Sequence, residues 1–212
     1  MTEFAPEFHE WPKTKRLFRP ITVSEKLDGS NSGVGITKLD WTDDITAPPV
    51  DFKVVTVGAD AYAVHAQSKN RIIYPGKTSD NYGFAGWVYD NAAELVDVFG
   101  PGLHYGEWWG RGIQRGYGVD GKRFSLFNTA RHFENPGAEI GGVPVGPVPV
   151  LYEGIFDESA ITGALMDLRT YGSVAASGFD NPEGICVYHT QTRNVFKVTL
   201  DNNDAGKWEA AA

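Results

Sequence analysis

The chain has 212 residues, 42% of them apolar, with six Trp, nine Tyr and twelve Phe and a formal net charge of −8. Such a composition excludes a disordered chain, the length suits one domain with a real core, and the lack of any apolar run of about 18 residues excludes a helical membrane span. A single cysteine, Cys186, excludes an internal disulfide framework and fits a reducing, cytoplasmic setting. It lies in an apolar strand-like stretch and reads as a buried structural thiol rather than a nucleophile.

Met1-Thr2-Glu3-Phe4-Ala5-Pro6 lacks the basic and apolar regions of a secretory signal. A basic cluster, Lys13, Lys15, Arg16 and Arg19, follows. Strands are predicted at 21–27, 33–37, 52–57, 61–67, 103–108, 123–127, 148–152, 184–189 and 194–200, most of them short and rich in β-branched or aromatic residues. Helical spacing over 84–99 puts Phe84, Trp87, Val88, Leu95, Val96 and Phe99 near one face. A second helix is predicted over 158–170, with Ile161, Leu165 and Leu168 after the acidic start Asp157-Glu158. The Pro/Gly-rich segment from Asn135 to Pro149 reads as a loop. Together these elements predict a strand-rich α+β domain.

The acidic balance is awkward for a nucleic-acid enzyme, which usually carries a basic footprint. Local clusters matter more than the sum. Arg111, Arg115, Lys122 and Arg123 form a second basic group inside a Gly-rich, aromatic stretch, and these four are the candidate polynucleotide contacts. Several chemistries fall away. Gly76-Lys77-Thr78 ends like a phosphate-binding P-loop, but Arg71 stands where the first Gly is needed. Gly110-Arg111-Gly112 does not complete G-x-G-x-x-G. His9, His65, His104, His132 and His189 have no metal-ligand spacing, and no G-x-S-x-G elbow is present.

Lys26 stands in Ser24-Glu25-Lys26-Leu27-Asp28-Gly29, a K-x-D-G element directly after the β-like Ile21-Thr22-Val23. A strand delivers the amine, and a tight Gly turn leaves room for a nucleotide against the backbone. Further elements follow in order. Gln67-Ser68-Lys69-Asn70-Arg71 closes a strand with basic residues, and Gly106-Glu107-Trp108-Trp109-Gly110 sets one acid in an apolar strand. Arg123-Phe124-Ser125-Leu126-Phe127-Asn128 is an aromatic strand. Pro182-Glu183-Gly184 opens a strand with a Glu, and Val195-Phe196-Lys197-Val198-Thr199 sets a Lys within the next.

In this order the chain resembles the covalent nucleotidyltransferases, the polynucleotide ligases and capping guanylyltransferases, and is most similar to the ATP-dependent RNA ligase family. The run Gly106–Gly110 with Gly112-Ile113-Gln114-Arg115 and Tyr117-Gly118 is the most specific part, and the likeness spans about residues 20–200. It implies two antiparallel β-sheets flanked by helices, with the nucleotide between them. It also implies that Lys26 attacks the ATP α-phosphorus to form lysyl–AMP, which needs the neutral amine that a free lysine scarcely populates near pH 7. By the same resemblance, Lys197 contacts the α-phosphate and favours that neutral amine, and Glu183 engages Mg²⁺ (or Mn²⁺). Glu107 accepts from the ribose hydroxyls, Phe127 stacks on adenine, and Lys69 stands where an arginine usually meets the ribose or an RNA 5′-phosphate. Trp108, Trp109 and Tyr117 read as packing residues.

Two positions depart from the family pattern. Thr199 replaces a second lysine after Lys197, and Lys69 lacks the bidentate fork of the usual Arg, so phosphate handling is slower or shared with Arg71 or Lys207. The chain is expected to be one nucleotidyltransferase domain over 1–212, without an appended OB-fold or helical module, and a monomer. The expected activity is AMP transfer to an RNA 5′-phosphate and sealing with a 3′-hydroxyl. A minimal DNA ligase or broad strand joiner is the near alternative, and an end-binding protein without turnover the distant one. A guanylyltransferase fits the Gly106–Gly118 run less well.

Overall fold

The structure is a computed structural model that describes residues 7–40, 51–132 and 137–201, which leaves Lys207 outside the described residues. In chain order the elements are β1 (Pro20–Lys26), β2 (Ser30–Lys38), β3 (Lys53–Val57), β4 (Asp60–Ser68), β5 (Ile72–Ile73), α1 (Phe84–Asp90), α2 (Ala92–Phe99), β6 (Gly102–Gly110), β7 (Lys122–Leu126), α3 (Thr129–His132), β8 (Ala138–Ile140), β9 (Val143–Pro147), β10 (Val150–Ile155), α4 (Glu158–Tyr171), β11 (Gly184–His189) and β12 (Asn194–Thr199). None of the described helices is long and apolar enough to cross a membrane.

Alternation along β1 sets the architecture. Ile21, Val23 and Glu25 are buried on one face, while Thr22, Ser24 and Lys26 are half-buried on the other. The buried face meets α4, where Ala164 and Leu168 close a small core with Ile21, Val23, Ile185 and Val187. β1 pairs antiparallel with β10 and β11, and β11 with β12, so four strands run in the order β10-β1-β11-β12. The second sheet runs β3-β4-β2-β6-β7-β9-β8, with β5 on β4, and α1 and α2 cover it. Its core is larger and aromatic, with Phe84, Trp87, Trp108 and Phe124 beside Val34, Val64, Leu95 and Phe99.

Each of the nine strand candidates falls on a strand of the structure, and three expectations give way. The helix predicted over 84–99 is two helices. The Asn91 side-chain amide donates to the Trp87 carbonyl at 2.7 Å, ending α1, and the Asn91 carbonyl accepts from Leu95 N to start α2. The loop read at 135–149 contains the β8–β9 hairpin, whose Gly141 and Gly142 both have positive φ, +56° and +75°, as a two-residue primed turn requires. β9 then lies parallel to β7, so the second sheet is antiparallel except for that pair.

The two sheets meet where β1 passes into β2. Leu27, Trp109, Tyr117, Val148 and Ala176 are buried together there, and Trp108, Trp109 and Tyr117 pack as the sequence suggests, each 2% exposed. Gly29 marks the closest approach. A Cβ on it would lie 2.5 Å from the Trp108 carbonyl oxygen and 2.8 Å from Trp109 Cβ, so no larger residue fits. Its N–H donates to Glu107 Oε1 at 3.0 Å, and the Asp28 N–H donates to the Tyr117 hydroxyl at 2.9 Å.

Candidate active site

Between the sheets lies a cleft of about 500 Å³. Lys26, Cys186, Tyr188 and Val195 line it from the four-stranded sheet, and Asn31, Lys69, Glu107 and Phe127 from the other. Lys26 closes β1 on the face opposite Ile21, Val23 and Glu25, so strand alternation aims its amine into the cleft. Lys26 Nζ stands 2.5 Å from Glu183 Oε1, with the side chains 22% and 16% exposed. The other carboxylate oxygen of Glu183 is buried and has no hydrogen-bond partner among the described residues.

Lys197 reaches the same face by register. Ser24, Cys186 and Lys197 lie abreast on β1, β11 and β12, and residues directly opposite in antiparallel strands share a face. Lys197 is exposed and sits beside Cys186 on the edge strand β12. Thr199 lies abreast of Gly184 and Lys26, two residues along from Lys197. Cys186 is half-buried in the cleft wall rather than in a core, and burial pushes its thiol up, which keeps it a poor nucleophile.

On the opposite wall, burial pushes the Glu107 carboxyl up to about 7, against the pull of Lys26 and the Gly29 N–H. Like charges on Glu183 and Asp28 push the same way. Phe127 is 41% exposed and turns a ring into the cleft. Arg71 is exposed and stands apart from the residues that line the cleft, and its carbonyl accepts from Ser68 N at 2.8 Å.

Of the four basic candidates, Arg111 is exposed, and Lys122 Nζ donates to its carbonyl at 2.7 Å. Arg123 lies over the Trp109 ring, 5.7 Å from its centroid. Sequence reasoning sets Arg115 among the polynucleotide contacts, but all three of its nitrogens bond inside the chain, to Asp28, Asp201 and the 181–182 segment. The attraction of two carboxylates outweighs the desolvation of this largely buried guanidinium and fixes the side chain.

Sequence reasoning missed Asn31, Tyr188 and Val195, which line the cleft, and Glu25, which anchors it. Tyr188 stands two residues from Cys186 and Val195 two from Lys197, so period-2 spacing was the available signal. Glu25 is 1% exposed and accepts from Ser173 Oγ at 2.6 Å and from the Val174 and Ala175 N–H groups at 2.9 Å. It pins the loop after α4 to β1, directly beside Lys26.

Glu183 fits a divalent cation as one hard oxygen ligand, because its buried Oε2 lacks a partner among the described residues. Among the described residues no group of three His, Cys, Asp or Glu could hold a metal. An ion at Glu183 would therefore complete its shell with water and ligand oxygens.

Two facing sheets with a strand-borne lysine paired to a carboxylate between them define an α+β domain built around a charged cleft. The family model for RNA ligase matches residues 19–199, and the chain belongs to that family. The fold is similar to that of a Naegleria gruberi RNA ligase variant solved with ATP and Mn, with a TM-score of 0.50 and 14% identity over 87% of this chain and 51% of that one. An apo variant of a Naegleria gruberi RNA ligase gives a TM-score of 0.47 at 16% identity, over 85% of this chain and 49% of that one. The chain thus spans about half the length of these ligases. No curated protein matches it.

Proposed function

We propose that this chain catalyses ATP-dependent RNA ligation through a lysyl–AMP intermediate on Lys26. The observation that carries the reading is the Lys26–Glu183 pair at 2.5 Å, set in a cleft whose far wall presents Glu107 and Phe127. ATP and a divalent metal are the expected cofactors, a reading supported by family membership and by a neighbour solved with ATP and Mn. Bound at Glu183, the metal would supply Lewis-acid stabilisation of phosphate charge.

The chain's own residues account for the remainder. Phe127 offers a ring for adenine, and Glu107 offers a carboxylate oxygen to the ribose hydroxyls. Lys26 Nζ points into the cleft from the end of β1, and its contact with Glu183 orients the amine for attack once it is neutral. The Nζ lone pair then forms the N–P bond, the bond to the β-phosphate oxygen breaks, and pyrophosphate leaves with that electron pair. Lys197, on the same sheet face, offsets the charge that develops. An RNA 5′-phosphate oxygen next displaces the lysine amine from AMP, and a 3′-hydroxyl displaces AMP to seal the strand. Arg111 and Lys122 remain as surface contacts for the polynucleotide, and DNA ends are the second substrate to assay.

The test is incubation with α-³²P-ATP and Mg²⁺, followed by a denaturing gel of wild type beside Lys26→Ala. A labelled band confined to wild type is expected. Persistent label on Lys26→Ala would move the nucleophile elsewhere. Unlabelled wild type that also fails to seal pre-adenylylated RNA would leave a binding protein.

A further inference from the structure

Arg115 sits in the loop between β6 and β7, away from the residues that line the cleft, yet its side chain is only 14% exposed. Its Nε donates to Asp28 Oδ2 at 2.9 Å. Nη1 donates to the Asn181 carbonyl at 3.0 Å, to Asn181 Oδ1 at 3.2 Å and to the Pro182 carbonyl at 3.4 Å. Nη2 pairs with Asp201. Asp28 stands two residues after Lys26, Pro182 directly before Glu183, and Asp201 four residues after Lys197. One guanidinium, carried by the eight-stranded sheet, thus grips the flanks of all three charged groups presented by the four-stranded sheet.

The loop is built to hold that position. Gln114 and Tyr117 adopt positive φ, 42° and 53°, on either side of Arg115, and the Tyr117 hydroxyl takes the Asp28 N–H from the same side. A planar fork with five donors can serve two carboxylates and two carbonyls together, which a lysine point charge cannot.

We propose that Arg115 is a positioning residue for lysine adenylylation. It locks the flanks of β1, β11 and β12 in register so that Lys26, Glu183 and Lys197 converge on one phosphate, and it does not itself grip RNA. The proposal rests on the ligase reading above. Because Arg115 lies outside the cleft lining, its loss acts on the rate of the covalent step and spares nucleotide affinity. A displacement of about 1 Å at reacting atoms is enough to cost on the order of 100-fold.

The test is single-turnover adenylylation of the full chain with α-labelled ATP, comparing wild type, Arg115→Ala, Arg115→Lys and Asp201→Asn, with ATP affinity measured separately. Arg115→Ala is expected to label about 100-fold more slowly, with the ATP dissociation constant within about threefold of wild type. Added guanidinium at low millimolar concentration should recover part of the rate, Arg115→Lys should recover little, and Asp201→Asn should slow labelling by about three- to tenfold. Asp201 is half exposed, so that variant carries the test if Arg115→Ala does not fold. Normal labelling with a raised KM for RNA would make Arg115 a polynucleotide contact and overturn the proposal. Loss of ATP affinity and rate together, in step with melting temperature and without guanidinium rescue, would reduce it to a scaffold residue. Wild type without label sinks the ligase reading itself, and this proposal with it.

Discussion

Behind the eight-stranded sheet, Phe84, Trp87, Trp108 and Phe124 pack ring against ring with centroids 5.2–5.7 Å apart, and two helices seal them. Behind the four-stranded sheet a single helix offers Ala164 and Leu168 to four strand residues. The heavier sheet bears Glu107 and Phe127, the groups proposed above to hold the nucleotide. The lighter one bears Lys26 and Lys197, with Glu183 at the entrance of β11. Rigid packing suits recognition, since each buried ring resists displacement. Charges on a lightly backed sheet need ties from outside it, and the Gly29–Glu107 and Arg115 contacts supply them.

The sharpest way to break this contrast is thermodynamic. Phe84→Ala should lower stability by about 4 kcal/mol in denaturant titration, and Leu168→Ala by about 2.5 kcal/mol. A costlier Leu168→Ala would mean that the small core dominates.

Glu107→Gln probes the heavier wall by pH. The folded chain raises this carboxyl from an ordinary 4.5 to about 7, so between those values it holds a proton that the unfolded chain has released. Wild-type stability therefore falls as pH rises through that window, while Glu107→Gln has nothing to release. Melting curves should agree below pH 4.5 and diverge in favour of Glu107→Gln by about 3 kcal/mol above pH 7. Parallel curves would place Glu107 in water.

The smallest effect concerns Phe127, a ring that is 41% exposed. Phe127→Ala should weaken ATP binding about tenfold by equilibrium titration while stability changes by less than about 0.5 kcal/mol. A large stability loss would mean that the ring belongs to the core instead of the cleft.

What the sequence made legible was what local pattern encodes. Alternation at Ile21-Thr22-Val23 and at Ile185-Cys186-Val187 placed two of the four strands of the lighter sheet and the face that Lys26 occupies. The β8–β9 hairpin was legible too, since Gly141-Gly142 between Ile140 and Val143 is a turn signature, but the surrounding Pro and Gly masked it. The break at Asn91 depends on one side-chain amide competing for a helix carbonyl, which helical periodicity does not register. Arg115 was visible as a charge within the Gly106–Gly118 run, but not as a tie between elements. Its partners lie 87 and 86 residues away in sequence, and local spacing carries no trace of them.

Gly29 has a mechanical consequence. The chain crosses from one wall of the cleft to the other at residues 27–29 and is pinned there by two hydrogen bonds, in a gap that admits no side chain. The walls are therefore held at a fixed spacing within three residues of Lys26. A side chain so near a pinned crossing has little freedom to shift against the opposite wall.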